Sequence, residues 1–319
     1  MTEYSTESFS TNQYDLARPT YPLSFIQYVV DWHKKSSPET SLGVTVSVDI
    51  GCGTGQVTFP LYEEIQYADN VYGVDPSAVM IQKCQDTQNS KDHSTITKGE
   101  LCFKQAAAEK LDDVFPLESV DLLTGAECFH WFKHQEFFEV AHKILKPHGT
   151  LAYWFYVDPV VISVTKPDGT VVDVDKKVYM EIYDKYTYGE EYFGPYWEQP
   201  GRNHLRTFCK DVKIPTDLFK DIETHKYRPV VQGDVPDEKL KIERSWTLQD
   251  YKNYQESWSA YHKYVEETKK ASPGINSAKD IKNYIPNEFS AEMTQRLGIN
   301  PVDKMKVIWS TIYFLAKKR

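Results

Sequence analysis

No stretch of the 319 residues is long and apolar enough to cross a bilayer, which takes roughly 18 consecutive residues, so no integral membrane segment is expected. Residues 1–12 are polar and rich in Ser and Thr. They lack the basic start and apolar run of a secretory signal, so a cytoplasmic location is expected. Positive charge is also in deficit, with 37 Lys and Arg against 46 Asp and Glu, a net −9. A chain of that sign repels phosphate backbones, which excludes nucleic acid as a general partner. The five cysteines are odd in number and scattered. None forms a CxxC pair or a Cys/His cluster with metal spacing, so reduced thiols and no metal are expected. There is no internal repeat. What remains is ordinary for a globular protein, 40% hydrophobic and 26% charged, with length for a core and an appended lobe.

Residues 43–156 alternate short apolar runs with helix-like stretches. Strands are predicted at Val44–Ile50, Val71–Val74, Leu101–Gln105, Val120–Thr124 and Gly149–Tyr156. Helices are predicted at Gly55–Tyr62, at Ser77–Thr87 with Ser77 as cap, and at Gln135–Leu145. Such alternation implies a parallel α/β sheet covered on both faces. Beyond Tyr156 the pattern changes. Val160–Val174 contains the turn signal Lys166-Pro167-Asp168-Gly169-Thr170 and reads as a hairpin. Residues 176–220 and 245–300 read as mostly helical, with a strand at Ile222–Val231 between them. Val307–Ala316 reads as a last, antiparallel strand. The expected organisation is an N-terminal helical cap (1–42), a cofactor-binding core (43–156), a mostly helical lid with the hairpin and one core strand (157–300), and the closing strand (301–319). Ligands in such sheets bind at the carboxyl ends of the strands, beneath the lid.

The decisive local feature is Asp49-Ile50-Gly51-Cys52-Gly53-Thr54-Gly55, between a predicted strand and a helix. Glycines let the chain turn tightly and approach a ligand, whose polar groups then meet free amides at the helix start. A dinucleotide fingerprint, GxGxxG, would need a third glycine where Gln56 stands, which disfavours a nicotinamide cofactor. The spacing is GxGxG instead, with Asp49 two residues ahead. Asp75, followed by Pro76, ends the next strand roughly 20 residues beyond Gly55, where a carboxylate accepts hydrogen bonds from ribose hydroxyls.

These motifs resemble those of class I S-adenosylmethionine-dependent methyltransferases. Ala108-Glu109-Lys110-Leu111 resembles the adenine-contacting loop after the third strand, and Ala126-Glu127-Cys128-Phe129-His130-Trp131 the loop beside the transferable methyl group. Where the family often has an acid before that alanine, this chain has Ala107, leaving the amide at Ala108 to serve. Tyr14-Asp15-Leu16-Ala17-Arg18-Pro19-Thr20-Tyr21-Pro22, Gly194 to Arg202, and Trp258-Ser259-Ala260-Tyr261-His262 are similar to fungal trans-aconitate methyltransferases and to related yeast methyltransferases linked to cantharidin resistance. The resemblance implies a seven-stranded, mostly parallel, Rossmann-like sheet with an antiparallel last strand. It implies S-adenosylmethionine as cofactor, held by Tyr14, Asp49, Gly51, Cys52, Gly53, Gly55, Asp75, Pro76, Ala108, Glu109, Ala126 and Glu127. It also implies methyl transfer to a carboxylate of a small polycarboxylic acid, giving a monomethyl ester. The hairpin near Lys166–Thr170 looks like an insertion relative to these relatives.

A carboxylate is ionised at neutral pH and needs no general base, so positioning and exclusion of water suffice. Arginine holds carboxylates best. Arg18 and Arg202 are the candidates, with closure over the cofactor's carboxylate as the rival role of Arg18. His130 and Trp131 stand where the methyl group would be transferred, and Trp154, Trp197, Trp258, Tyr261 and Trp309 are candidates for the pocket wall. Transfer to another acceptor, a lipid or a metabolite hydroxyl, would need a base, for which His130 is the local candidate. A regulator that binds the cofactor without catalysis is a further alternative. Oligomeric state stays open.

Overall fold

The structure is a computed structural model describing residues 18–35, 45–91, 99–230, 234, 237–272, 274–275 and 277–319. Tyr14 lies outside them, as does most of the expected cap. The described part of the cap holds α1 (Leu23–Lys35), which lays Phe25, Ile26, Val29 and Val30 on the sheet.

The first four strands are β1 (Val46–Ile50), β2 (Asn70–Asp75), β3 (Glu100–Gln105) and β4 (Val120–Ala126). β4 is buried almost end to end, as expected of a parallel strand covered on both faces. β5 (Leu145–Thr165), β7 (Phe219–Tyr227) and β9 (Lys304–Lys318) complete a seven-strand path of order β3-β2-β1-β4-β5-β9-β7. β1 through β5 pair in parallel, and β9 runs antiparallel between β5 and β7. Direction of winding reverses between β1 and β4, so a crevice opens at their carboxyl ends. α2 (Ala78–Ser90) is capped by Ser77, whose hydroxyl accepts from the Met80 amide at 3.4 Å. α3 (His134–Ile144) packs Phe137, Phe138, Ala141 and Ile144 against the sheet.

Several expectations need correction. The first helix after the glycine turn begins at Thr58, not Gly55, because Gly55 holds φ +89° and cannot be helical. The fifth strand does not stop at Tyr156. β5 runs on past its last pairing with β4 at Trp154 and forms with the first half of β9 a ribbon that leaves the core. The predicted turn joins this extension to β6 (Val171–Asp173), so the hairpin is the end of a core strand. Asp158-Pro159 hides this continuity in the sequence, since proline ordinarily ends a strand. Here Asp158 takes φ +48° at a register shift between Val157 and Pro159. The other edge of the β9 half of the ribbon is covered by β8 (Glu243–Trp246), whose last two residues fall where helix was expected. β7 also starts three residues before the predicted strand and ends four before its predicted end.

α4 (Lys176–Tyr188), α5 (Gly201–Arg206), α6 (Leu248–Glu256), α7 (Ser259–Ala271) and α8 (Ile285–Leu297) cluster around the ribbon. Their aromatic side chains join the core layer on the α1 face of the sheet. Among the described residues, no helix is long and apolar enough to cross a membrane.

Candidate active site

The glycine turn is built by its neighbours. Gly51 (φ +60°) lies against the β4 loop, where a Cβ would fall 2.4 Å from the Cβ of Cys128. Gly53 (φ +53°) has no atom within 4 Å of that position, so the backbone borders open space. Asp75 anchors the turn: its Oδ2 accepts from the Gly53 amide at 3.0 Å and its Oδ1 from the Ser77 amide at 2.8 Å. Gly51, Gly53, Asp75, Pro76, Ala108, Glu109, Ala126 and Glu127 line one open cleft. Ile50, Val74, Met80 and Phe132 give it apolar walls that motif reading did not single out. Apolar walls with a few convergent polar groups are what a nucleoside needs. Glu109 braces the cleft by accepting from the Lys133 amide at 2.7 Å.

A narrower cleft lies on the other side of the turn, between Asp49, Cys52 and Gly53 below and Arg18 and Tyr21 above. Asp49 differs from its expected role. It is fully buried, and its oxygens accept from the Thr58 hydroxyl at 2.6 Å and the Thr124 hydroxyl at 3.0 Å. Burial pushes its carboxyl up to about 7 against those two hydroxyls. It braces β1, β4 and the turn more than it presents a bare charge. Gly55 lines neither cleft and packs on Phe59.

A third pocket adjoins both. It brings together Arg18, Glu127, His130, Trp131, Trp197, Arg202 and Trp258 from segments far apart in sequence. Arg202 stacks on Trp197, 4.1 Å from the ring centre, and its Nη2 donates to Tyr188 Oη at 2.5 Å and faces Asp158 Oδ1 at 3.4 Å. Asp158 also accepts from the hydroxyls of Tyr188 and Tyr183. Arg18 donates to the Ser257 carbonyl at 3.2 Å and lies over Tyr254. His130 is buried with no hydrogen-bond partner at Nδ1. Burial, then the charges of Arg202 and Arg18, hold its pKa down to about 3, so the ring is neutral and a weak base. Glu127 is half-buried, and burial pushes its carboxyl up to about 7, against the pull of the Tyr156 amide, Arg18 and Arg202.

Three aromatic candidates fall elsewhere. Trp154 and Trp309 are core residues with no exposed surface. Tyr261 turns away to accept from the Tyr284 hydroxyl at 2.9 Å. Asp158, Tyr156 and Tyr254 line the pocket instead. None of them stood out in the sequence as a site residue, and Asp158 falls between the strand predicted to end at Tyr156 and the hairpin predicted from Val160.

A methyltransferase-domain family model matches residues 48–153. The protein named as S-adenosylmethionine-dependent methyltransferase CRG1 of Saccharomyces cerevisiae is 30% identical over 327 aligned residues, covering 100% of this chain and 99% of that one. The chain belongs to the S-adenosylmethionine-dependent methyltransferases. Methyltransferase pgmE of Aspergillus terreus is 27% identical over 68% of this chain and 62% of its own. A solved structure, named as a type II methyltransferase from Anaeromyxobacter dehalogenans, superposes with TM-score 0.59 at 20% identity over 94% of this chain and 97% of that one, and supports the fold. The cofactor of this methyltransferase is S-adenosylmethionine, whose sulfonium supplies an electrophilic methyl group. The open backbone at Gly53 and the carboxylate of Asp75 fit its nucleoside.

Proposed function

We propose that the enzyme transfers the methyl group to a carboxylate of a small organic acid, a trans-aconitate-like compound, and releases a monomethyl ester. The observation that carries this is the meeting of two arginines, Arg18 and Arg202, in an enclosed pocket that opens on the cofactor cleft at Glu127 and Trp131. A guanidinium fork holds a carboxylate in one pose, and the surrounding Trp197, Trp258 and Tyr254 exclude the water that would otherwise solvate the attacking oxygen. His130, neutral and with a ring nitrogen unpartnered, is placed to donate a hydrogen bond to the acceptor without adding charge. In this proposal 43–156 supplies the cofactor cleft and the segment after it closes over the acceptor.

A second reading, methyl transfer to a hydroxyl, is supported by Glu127. Its carboxyl sits near 7 at the same junction and makes a better base than His130. Asp158 and Glu198 in the pocket lining also offset part of the arginine charge. The test is a panel of small acids and their alcohol analogues incubated with labelled S-adenosylmethionine, with products weighed by mass spectrometry. Methyl esters from the acids support the proposal. Ethers from the alcohols alone would replace it by the second reading.

A further inference from the structure

Three cavities converge at the carboxyl edge of the sheet, and among the described residues Glu127 is the one lining all three. The nucleoside cleft, the cleft beside the glycine turn and the arginine pocket can share only the centre of the cofactor, the sulfonium between its nucleoside, its amino-acid chain and the methyl group it gives away. The side chain there is fixed. Glu127 has φ +55°, its amide donates to the Trp154 carbonyl at 3.0 Å, and its carboxyl accepts from the Tyr156 amide, so both bonds run to β5. A left-handed, non-glycine residue held by two strand contacts is a conformation that a fold keeps at some cost.

We propose that Glu127 is the residue by which the site tells the charged cofactor from its neutral product: the carboxyl releases a proton to solvent when the sulfonium binds and takes one back once the methyl group has left. The balance is simple. Near pH 7 the free protein holds Glu127 only partly ionised beside two guanidinium groups. A sulfonium adds a third positive charge, and ionisation of Glu127 cancels it. After transfer, S-adenosylhomocysteine has a thioether where the charge was, and burial of the carboxylate again favours its protonation.

The other groups around Glu127 do not mimic this near neutral pH. Arg18 and Arg202 face it as fixed cations from the N-terminal segment and α5. His130 is held neutral. The Cys128 thiol lies well above its ordinary value, Cys209 is pushed up to about 12, and Tyr254 is raised. Asp158 shares the arginine pocket and is tied to Arg202. Asp75 on β2 is raised by burial. Asp49 also titrates near 7, but it borders the cleft beside the glycine turn, away from the arginine pocket.

The role depends on the cofactor and not on the class of acceptor, so it is tested with none present. Calorimetric titration of the full chain with S-adenosylmethionine and with S-adenosylhomocysteine, in buffers of different ionisation enthalpy, counts the protons released. The two ligands share their nucleoside and amino-acid groups, so what Asp49 and Asp75 exchange with those groups cancels in the difference, and any response of theirs to the sulfonium charge itself survives in Glu127→Gln. Near pH 7 the sulfonium ligand is expected to release about half a proton more than the thioether. Its affinity should rise about tenfold between pH 6 and pH 8 while that of the product stays flat. In Glu127→Gln both differences vanish. Equal proton release by the two ligands in the wild type, or a difference that survives in Glu127→Gln, overturns the proposal.

Discussion

Glu127→Gln should make the ligand-free protein more stable, and increasingly so as the pH rises. A carboxyl whose native proton affinity is raised stabilises the fold fully below its unfolded-state value and loses that contribution as the pH climbs through its native value. For Glu127 the window runs from about 4.5 to about 7. Each tenfold change in proton affinity corresponds to about 1.4 kcal/mol, so the ionised native state gives up about 3 kcal/mol across that window. The amide of Gln keeps an acceptor for the Tyr156 amide and never ionises. The stability gap between variant and wild type should therefore widen by about 3 kcal/mol from acid to alkaline pH, on the order of 5 °C in Tm for a chain of this size. Thermal unfolding of both proteins at intervals between about pH 5 and pH 8.5 measures it. Asp49 behaves alike in the two proteins and drops out of the comparison. A gap constant with pH, or one that narrows as the pH rises, would refute the argument that burial holds a proton on Glu127.

Other substitutions separate the parts of the site. Arg202→Ala should raise KM for the acceptor at least tenfold while KM for S-adenosylmethionine changes less than about twofold, as loss of a charged hydrogen bond to one ligand predicts; equal changes in steady-state kinetics would remove Arg202 from acceptor binding. Gly51→Ala forces a methyl into Cys128 and should cost more stability than the roughly 1–2 kcal/mol of left-handed strain alone. Gly53→Ala meets no atom, so its Tm should fall less, yet its methyl projects into the cleft and should weaken S-adenosylhomocysteine binding about tenfold or more by calorimetry. Asp158→Ala leaves the Arg202 guanidinium and two tyrosine hydroxyls without their shared acceptor and should destabilise by about 3 kcal/mol. Asn at that position keeps an acceptor and tolerates the left-handed backbone, so denaturant titration should show a smaller loss. With cofactor saturating, kcat/KM for a carboxylate acceptor should fall with rising pH through the Glu127 value in the complex, below about 7, and for a hydroxyl acceptor it should rise.

The cofactor half of the site was legible in the sequence because its determinants are local. Glycines at 51 and 53, Asp75 at a strand end and the loop at Ala126–Trp131 each follow a strand by a fixed step, and a parallel sheet brings all such steps to one edge. Asp49 shows the limit of that logic. Its position was right, but whether it faces the ligand or two hydroxyls depends on Thr124, 75 residues away on β4. The arginine pocket depends almost entirely on such distant pairings. Arg202 and Trp197 come with α5 and the turn before it, Tyr254 and Trp258 with α6 and α7, and Asp158 with the bulge in β5. No period in the sequence relates these segments, and aromatic residues at helical spacing serve a core as well as a pocket. Trp154 and Trp309 went to the core for that reason.

The bulge at Asp158 also sets the arginine pocket apart from the cofactor-binding half of the sheet. Where β4 stops pairing, β5 and β9 continue as a ribbon whose covering elements, β6, β8 and the helices α4 to α8, make no strand pairing with the cofactor-binding half of the sheet. Changes on the ribbon can reshape the arginine pocket without moving Gly51, Gly53 or Asp75. Trp131 and Glu127 border both halves, and Glu127 is where charge couples them. Its carboxyl is fixed by β5 just before the bulge, its proton affinity is set partly by Arg18 and Arg202, and it borders the cofactor cleft. A substitution of Arg202 that alters acceptor choice must therefore also shift the pH at which Glu127 ionises. Removing that nearby cation should raise the Glu127 value, and with it the pH at which cofactor affinity begins to climb. Arg202→Ala examined by calorimetry with S-adenosylmethionine alone should show this upward displacement, and a pH dependence identical to that of the wild type would mean that the two halves are not electrostatically coupled.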